Sequence, residues 1–195
     1  MTDAAADLRD EPVDAQVAAS DLVFEGRVWD LRSDTVRYND GEIVRQYVDH
    51  PGAAAVVALD ERGRVLLIQQ YRHPIRQRDW ELPAGLLDVP GEDPADAARR
   101  ELAEEVDLAA ASWEPLVSMF TSPGGSDEIV HLYLARELSA LDAFAREDEE
   151  ADIRMVWIPL EDAVTAVLEG RIRNGIVMAG LFAAAERLRR AGAES

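Results

Sequence analysis

Hydrophobic and polar positions change their period along the chain, and each change marks an element. Residues Met1 to Ala18 are acidic and Ala-rich without any period, which predicts a disordered acidic tail over 1–18. Leu22 to Tyr38 is Val-containing and partly alternating, a strand pattern, and Asn39-Asp40-Gly41 is a hairpin turn signal with Glu42 to Val48 as the return strand. These pieces make a small β unit over 19–50. Pro51 and Gly52 punctuate the boundary to a main domain over 51–195. There, Ala53 to Leu59 is an unbroken apolar run suited to a buried strand. Asp60-Glu61-Arg62-Gly63 is a turn, and Val65 to Tyr71 a second strand. Asp93 to Val106 carries helical spacing. Leu116 to Phe120, Ile129 to Leu134 and Arg154 to Ile158 are further strands, and Glu161 to Leu168 and Asn174 to Arg190 are closing helices. Strands and helices are mixed without βα alternation, which predicts an α+β fold with helices packed on a mixed sheet.

Composition narrows the function classes. With 195 residues and 48% hydrophobic positions the chain is long enough to bury a core without staples. It has no cysteine, which excludes a disulfide framework and a thiolate zinc site and fits a reducing, cytoplasmic setting. No basic segment followed by an apolar run opens the sequence, and no stretch reaches the length of a membrane span, so neither a signal peptide nor a membrane partner is expected. The formal net charge of −19 repels nucleic-acid phosphates and argues against a DNA or RNA partner. That charge has two explanations, solubility alone or carboxylates gathered around divalent cations, and only local spacing separates them.

The segment that separates them is Asp93 to Leu108. Asp93 suits an N-cap and Pro94 a first helical position, while Ala98, Leu102 and Val106 recur every four residues as a buried stripe. Glu101, Glu104 and Glu105 then project from one side of the helix, and Glu92 lies just ahead of it. Like charges at that spacing cost about 0.2–0.5 kcal/mol per pair, and carboxylates in a last turn oppose the helix dipole. Two compensators are available. One is arginine, from Arg99 or Arg100; the other is a divalent metal, and hard oxygen ligands suit Mg²⁺ or Mn²⁺. A solvated acidic face is the ordinary explanation for such a charge run taken alone.

The same segment resembles the Nudix box, a loop–helix–loop motif. Glu92, a seven-residue gap, Arg100-Glu101, Leu102, Glu104-Glu105 and Leu108 match its fixed positions. Six residues separate Gly85 from Glu92 where the box has five, implying a one-residue bulge before the helix. Asp107 stands where the box has glycine, and Asp tolerates left-handed backbone. The resemblance implies a Nudix-type α/β/α sandwich. It also implies pyrophosphohydrolase activity with Mg²⁺ (or Mn²⁺), and Glu101, Glu105, assisting Glu104 and the Ala84 carbonyl as metal ligands. Glu92 and Arg100 are then an ion pair joining loop to helix.

Residues outside the box resemble the ADP-ribose pyrophosphatase group: Gln70-Tyr71-Arg72, Trp80-Glu81-Leu82-Pro83-Ala84-Gly85, and Ser122-Pro123-Gly124-Gly125, whose proline falls 15 residues past Leu108. The implied substrate is ADP-ribose, cut to AMP and ribose 5-phosphate, and the β unit over 19–50 is similar to one that such enzymes use to form homodimers. Substrate contacts are then sought at Arg72, Arg45, Pro123, Gly124 and Gly125. A ring of Phe24 or Trp29 would stack on adenine across a dimer interface, with core packing the competing account of both aromatics. Similar enzymes take the general base from an acidic loop before a late strand. This places it at Glu150 or Glu149 in the run Glu147 to Asp152, with Glu104 next in line. Alternatives are the same chemistry on another sugar nucleotide or dinucleotide, a non-catalytic nucleotide sensor, and a cation-buffering protein.

Overall fold

The computed structural model describes residues 8–142 and 153–193, and it divides into two compact units, Met1–Asp49 and His50–Ser195. The first holds three antiparallel strands in the order β1 (Gln16–Phe24), β2 (Asp30–Tyr38) and β3 (Gly41–Asp49). The predicted hairpin is β2–β3, with Tyr38 opposite Gly41. Its turn is Asn39-Asp40, Asn39 taking the left-handed conformation at φ 53°. The expected single strand from Leu22 to Tyr38 is in fact two, cut at a bend where the Gly26 N–H bonds Asp30 Oδ1. β1 also starts at Gln16, inside the stretch assigned to the tail. Every residue of β1 is exposed, so backbone pairing with β2 forms it and no apolar period announces it.

The second unit has a four-stranded sheet, order β7-β4-β9-β8, and a three-stranded sheet, order β10-β5-β6. β4 (Ala53–Ala58) runs parallel to β9 (Ile129–Ala140) and antiparallel to β7 (Ala84–Leu86), while β8 (Leu108–Phe120) pairs antiparallel with β9. β5 (Arg64–Arg72) lies between β10 (Arg154–Pro159) and β6 (Gln77–Glu81), both antiparallel to it. Helices cover both sides. Ala53, Ala55 and Val57 of β4 join one core with residues of α2 (Leu160–Leu168) and α3 (Gly175–Ala193). Ala54, Val56 and Ala58 join a second core with Ala97, Ala98, Leu102 and Val106 of α1 (Pro94–Val106). Burial on both faces explains why β4 is an unbroken apolar run. The α+β sandwich with a mixed sheet is the fold that the sequence pattern predicts. No helix among the described residues is long and apolar enough to cross a membrane.

Helix α1 begins and ends as its residues require. Asp93 Oδ1 accepts from the Ala95 N–H at 2.8 Å, and Pro94 occupies the first turn. Asp107 closes the helix at φ 56°, ψ 39°, donating its N–H to Ala103 O, so aspartate does take the left-handed position expected of it. The extra residue ahead of Glu92 is absorbed in a turn where the Glu92 N–H bonds Val89 O at 3.1 Å.

Candidate active site

Strand β7 lies at the edge of its sheet with α1 packed beside it, and the two bring the box residues together. Glu105, 6% exposed, accepts the Ala84 N–H at 2.9 Å. This satisfies a buried carboxylate that would otherwise be costly. Glu101 sits directly over Gly85: a Cβ there would lie 1.9 Å from Glu101 Cδ, so only glycine lets the helix carboxylate approach this close. Ala84 and Gly85 thus form one wall and Glu101 and Glu105 the other.

Arg100 organises the remaining charges. Its Nε and Nη2 donate to the two Glu92 oxygens at 3.1 and 3.0 Å, the loop-to-helix ion pair expected from the box. Its Nη1 donates to Glu101 Oε1 at 2.5 Å and to Glu104 Oε2 at 3.2 Å. Of the two arginines weighed as compensators, Arg100 therefore carries the role. Arg99 turns away, donating to Asp96 at 2.8 Å and lying 5.3 Å from the Trp113 ring centre. The carboxylates, Glu92 foremost, push the Arg100 guanidinium further up, and the hydrogen bonds from Arg100 hold the Glu92 carboxyl below its ordinary value. Among the described residues no three acidic or histidine side chains converge closely enough to enclose a cation. Arg100 accounts for this, because it draws Glu101 and Glu104 to itself. The donor chemistry fits a hard divalent cation nonetheless: carboxylate oxygens along one helix face meet a main-chain segment held close by glycine.

A depressed Glu92 value has a consequence for pH. The contribution of the Glu92–Arg100 pair is present above 4.5, the ordinary glutamate value, and is lost as pH falls through the lower folded value. Melting temperature should fall on acidification below pH 4.5. Glu92→Gln should be less stable at neutral pH and show a shallower acid decline. Parallel melting curves against pH for both proteins would contradict the assignment.

The other expected residues are placed unevenly. Arg72 forms a bidentate pair with Glu81, Nε to Oε1 and Nη2 to Oε2, both 2.7 Å, and Gln70 Nε2 adds a third bond to Glu81 at 3.1 Å. Glu81 and Gln70 are buried polar side chains that sequence reasoning gave no role; the signal was a charged residue inside Trp80-Glu81-Leu82, next to the Ala84-Gly85 segment. Pro123, Gly124 and Gly125 lie in an exposed turn where the Gly125 and Ser126 N–H groups bond Ser122 O, each at 2.9 Å. Arg45, Phe24 and Trp29 belong to the first unit. Arg45 Nη1 donates to Val44 O. Phe24 is 58% and Trp29 44% exposed, so core packing does not account for either ring. Glu149 and Glu150, with the whole acidic run from Glu147 to Asp152, lie outside the described residues. A cavity of about 650 Å³ lies on the α3 side of β8 and β9. Its charged lining is already paired, Arg187 with Glu114 at 2.9 Å and Arg190 with Glu186 at 2.6 Å.

Comparison with known proteins gives an independent placement. A family model described as the NUDIX domain matches residues 49–179. An ADP-ribose pyrophosphatase of Mycobacterium tuberculosis is 46% identical over 171 residues, covering 87% of this chain and 83% of the relative. A Bacillus subtilis protein of the same name is 37% identical over 156 residues, covering 80% and 84%. A crystal structure of an ADP compounds hydrolase superposes with a TM-score of 0.75 at 22% identity, covering 94% of this chain and 99% of that one. At that identity the superposition speaks for the fold alone.

Proposed function

The chain belongs to the NUDIX domain family, and from that premise we propose that it hydrolyses the pyrophosphate of ADP-ribose to AMP and ribose 5-phosphate with Mg²⁺ or Mn²⁺. The observation that carries this is the packing of Glu101 and Glu105 onto Ala84-Gly85, in a chain with relatives at 46% and 37% identity that are named ADP-ribose pyrophosphatase. Glu101, Glu105, Glu104 and the Ala84 carbonyl would hold the cation. When bound, a divalent cation there neutralises charge building on the diphosphate and lowers the pKa of the attacking water. Arg100 fixes the loop and the helix carboxylates as one body. Arg72, oriented by Glu81, would meet phosphate. The main chain at Gly124 and Gly125 has no atom within 4 Å of where a Cβ would stand, which leaves that loop open to close approach by a ligand.

Adenine would stack on Phe24 or Trp29 across a dimer interface, and Arg45 belongs to the same unit. The exposed apolar residues there, including Val17, Leu22, Val23 and Val44, leave apolar surface that a second copy of the chain would cover. Sedimentation should give a homodimer, and a monomer at micromolar concentration would count against it. The general base would be Glu150 or Glu149. One of Glu150→Gln and Glu149→Gln should cost about 10²–10⁴ in kcat with ADP-ribose binding retained. If both variants keep their activity, Glu104 becomes the candidate.

The substrate test is a comparison of kcat/KM over ADP-ribose, dinucleotides and sugar nucleotides in the presence of Mg²⁺. ADP-ribose should lead. A sugar nucleotide without adenine that is about a hundredfold better, roughly 2.7 kcal/mol in transition-state binding, would reject the assignment. Binding without any turnover would instead favour a nucleotide sensor.

A further inference from the structure

Two loops bear the site residues, the β7–α1 loop with Leu87 to Glu92 and the β8–β9 loop with Thr121 to Glu128, and both are fastened to the short link His50-Pro51-Gly52. The Leu87 N–H bonds Gly52 O at 3.1 Å. The Gly52 N–H bonds His50 Nδ1 at 3.0 Å, and the His50 N–H bonds Asp127 Oδ1 at 2.9 Å. Because Nδ1 accepts, the proton of the neutral ring is on Nε2, and that atom faces Glu128 Oε1 at 3.8 Å. Glu128 in turn accepts from Thr121 Oγ1 through its other oxygen at 2.5 Å. The His50 side chain is only 12% exposed and that of Glu128 23%. Gly52 itself, at φ 87°, could not be replaced without crowding: a Cβ would stand 3.1 Å from Ile129 O and 3.3 Å from Leu87 Cδ1.

We propose that His50, with its ring facing Glu128 and its main-chain N–H bonded to Asp127, is a positioning residue that holds the β8–β9 loop in register with the β7–α1 loop and so sets substrate affinity. This rests on the assignment of Pro123, Gly124 and Gly125 to substrate binding. A loop with two adjacent glycines loses much conformational freedom on ordering. A fastening that orders it beforehand removes that cost from the binding step. Loss of the clasp should therefore appear in KM, while the carboxylates that carry the chemical step are unaffected.

The test uses the full chain and four variants. Glu128→Gln weakens the attraction to the ring, and His50→Asn keeps an acceptor for the Gly52 N–H but cannot reach Glu128. Each should raise KM for ADP-ribose about fivefold or more while kcat stays within about twofold. Asp127→Ala should behave likewise, and Asp127→Asn, which keeps the acceptor, should restore KM to within about twofold of the parent. Amide hydrogen exchange in the ligand-free protein gives a readout that needs no substrate. Exchange over 121–128 should quicken about tenfold in Glu128→Gln and His50→Asn, with α1 protection unchanged. Unchanged KM together with unchanged loop exchange overturns the proposal. So does a loss of kcat that tracks a fall in melting temperature, since that marks a merely structural role. If the parent protein does not turn over ADP-ribose, the substrate assignment fails, and exchange over 121–128 still decides whether the clasp orders the loop.

Discussion

Glu105→Gln and Glu101→Gln should each lower kcat by at least about a hundredfold, roughly 2.7 kcal/mol in barrier height. Each change removes one negative charge from the face that would hold the cation and leaves shape almost untouched. The stability consequences differ between the two. Glu105 accepts the Ala84 N–H, and the glutamine amide oxygen can keep that bond, so the cation-free protein should melt within a few degrees of the parent. Glu101 accepts from Arg100; its neutral replacement weakens that bond but also relieves repulsion from Glu104 and Glu105. The net shift is again small. Near-parental turnover of either variant at saturating Mg²⁺, with melting unchanged, would remove the substituted glutamate from the proposed cation site.

Gly85→Ala should be nearly as damaging to activity while costing little stability. A Cβ at residue 85 would come within 2.0 Å of Glu101 Oε1 and 1.9 Å of Glu101 Cδ. The obstructing atoms are the end of a flexible side chain, so the carboxylate swings aside at a cost of about 1 kcal/mol, in the range of an off-rotamer adjustment. That swing carries Glu101 away from the Ala84 segment, and a displacement of about 1 Å at a catalytic group typically costs about a hundredfold in rate. The informative outcome is the split: melting close to the parent with kcat down by about a hundredfold. A Gly85→Ala protein as active as the parent would mean that Glu101 works from elsewhere. A protein that fails to fold would mean that Gly85 serves the backbone and not the carboxylate.

Much of this site was legible because its chemistry is local in sequence. The cap Asp93, then Pro94, the Ala98–Leu102–Val106 stripe and the three glutamates lie along one helix, so helical period alone places the carboxylates on one side, and Glu92 with Arg100 is a loop-to-helix pair eight residues apart. Strands whose pairing defines them were harder. β6 and β7 carry no alternation, and β1 is exposed along its whole length; each exists because a neighbouring strand supplies hydrogen bonds, which no period records. Long-range polar contacts were the least legible. Glu81 with Arg72 spans a β-hairpin, and His50 with Glu128 joins residues 78 positions apart. A single sequence offers no distance signal for either. Exposed Phe24 and Trp29 show the opposite failing: an aromatic residue in a predicted strand suggests a core, but Phe24 ends β1, Trp29 lies in the bend before β2, and both are exposed.

The central claim is cation-dependent cleavage of the ADP-ribose pyrophosphate, and product identification tests it most directly. The purified protein is incubated with ADP-ribose, once with Mg²⁺ and once with a chelator in excess, and the products are separated and identified. AMP and ribose 5-phosphate should appear in equal amounts with Mg²⁺, and neither should appear with the chelator. Intact ADP-ribose in the presence of Mg²⁺ or Mn²⁺, or AMP formation undiminished by the chelator, would contradict the account.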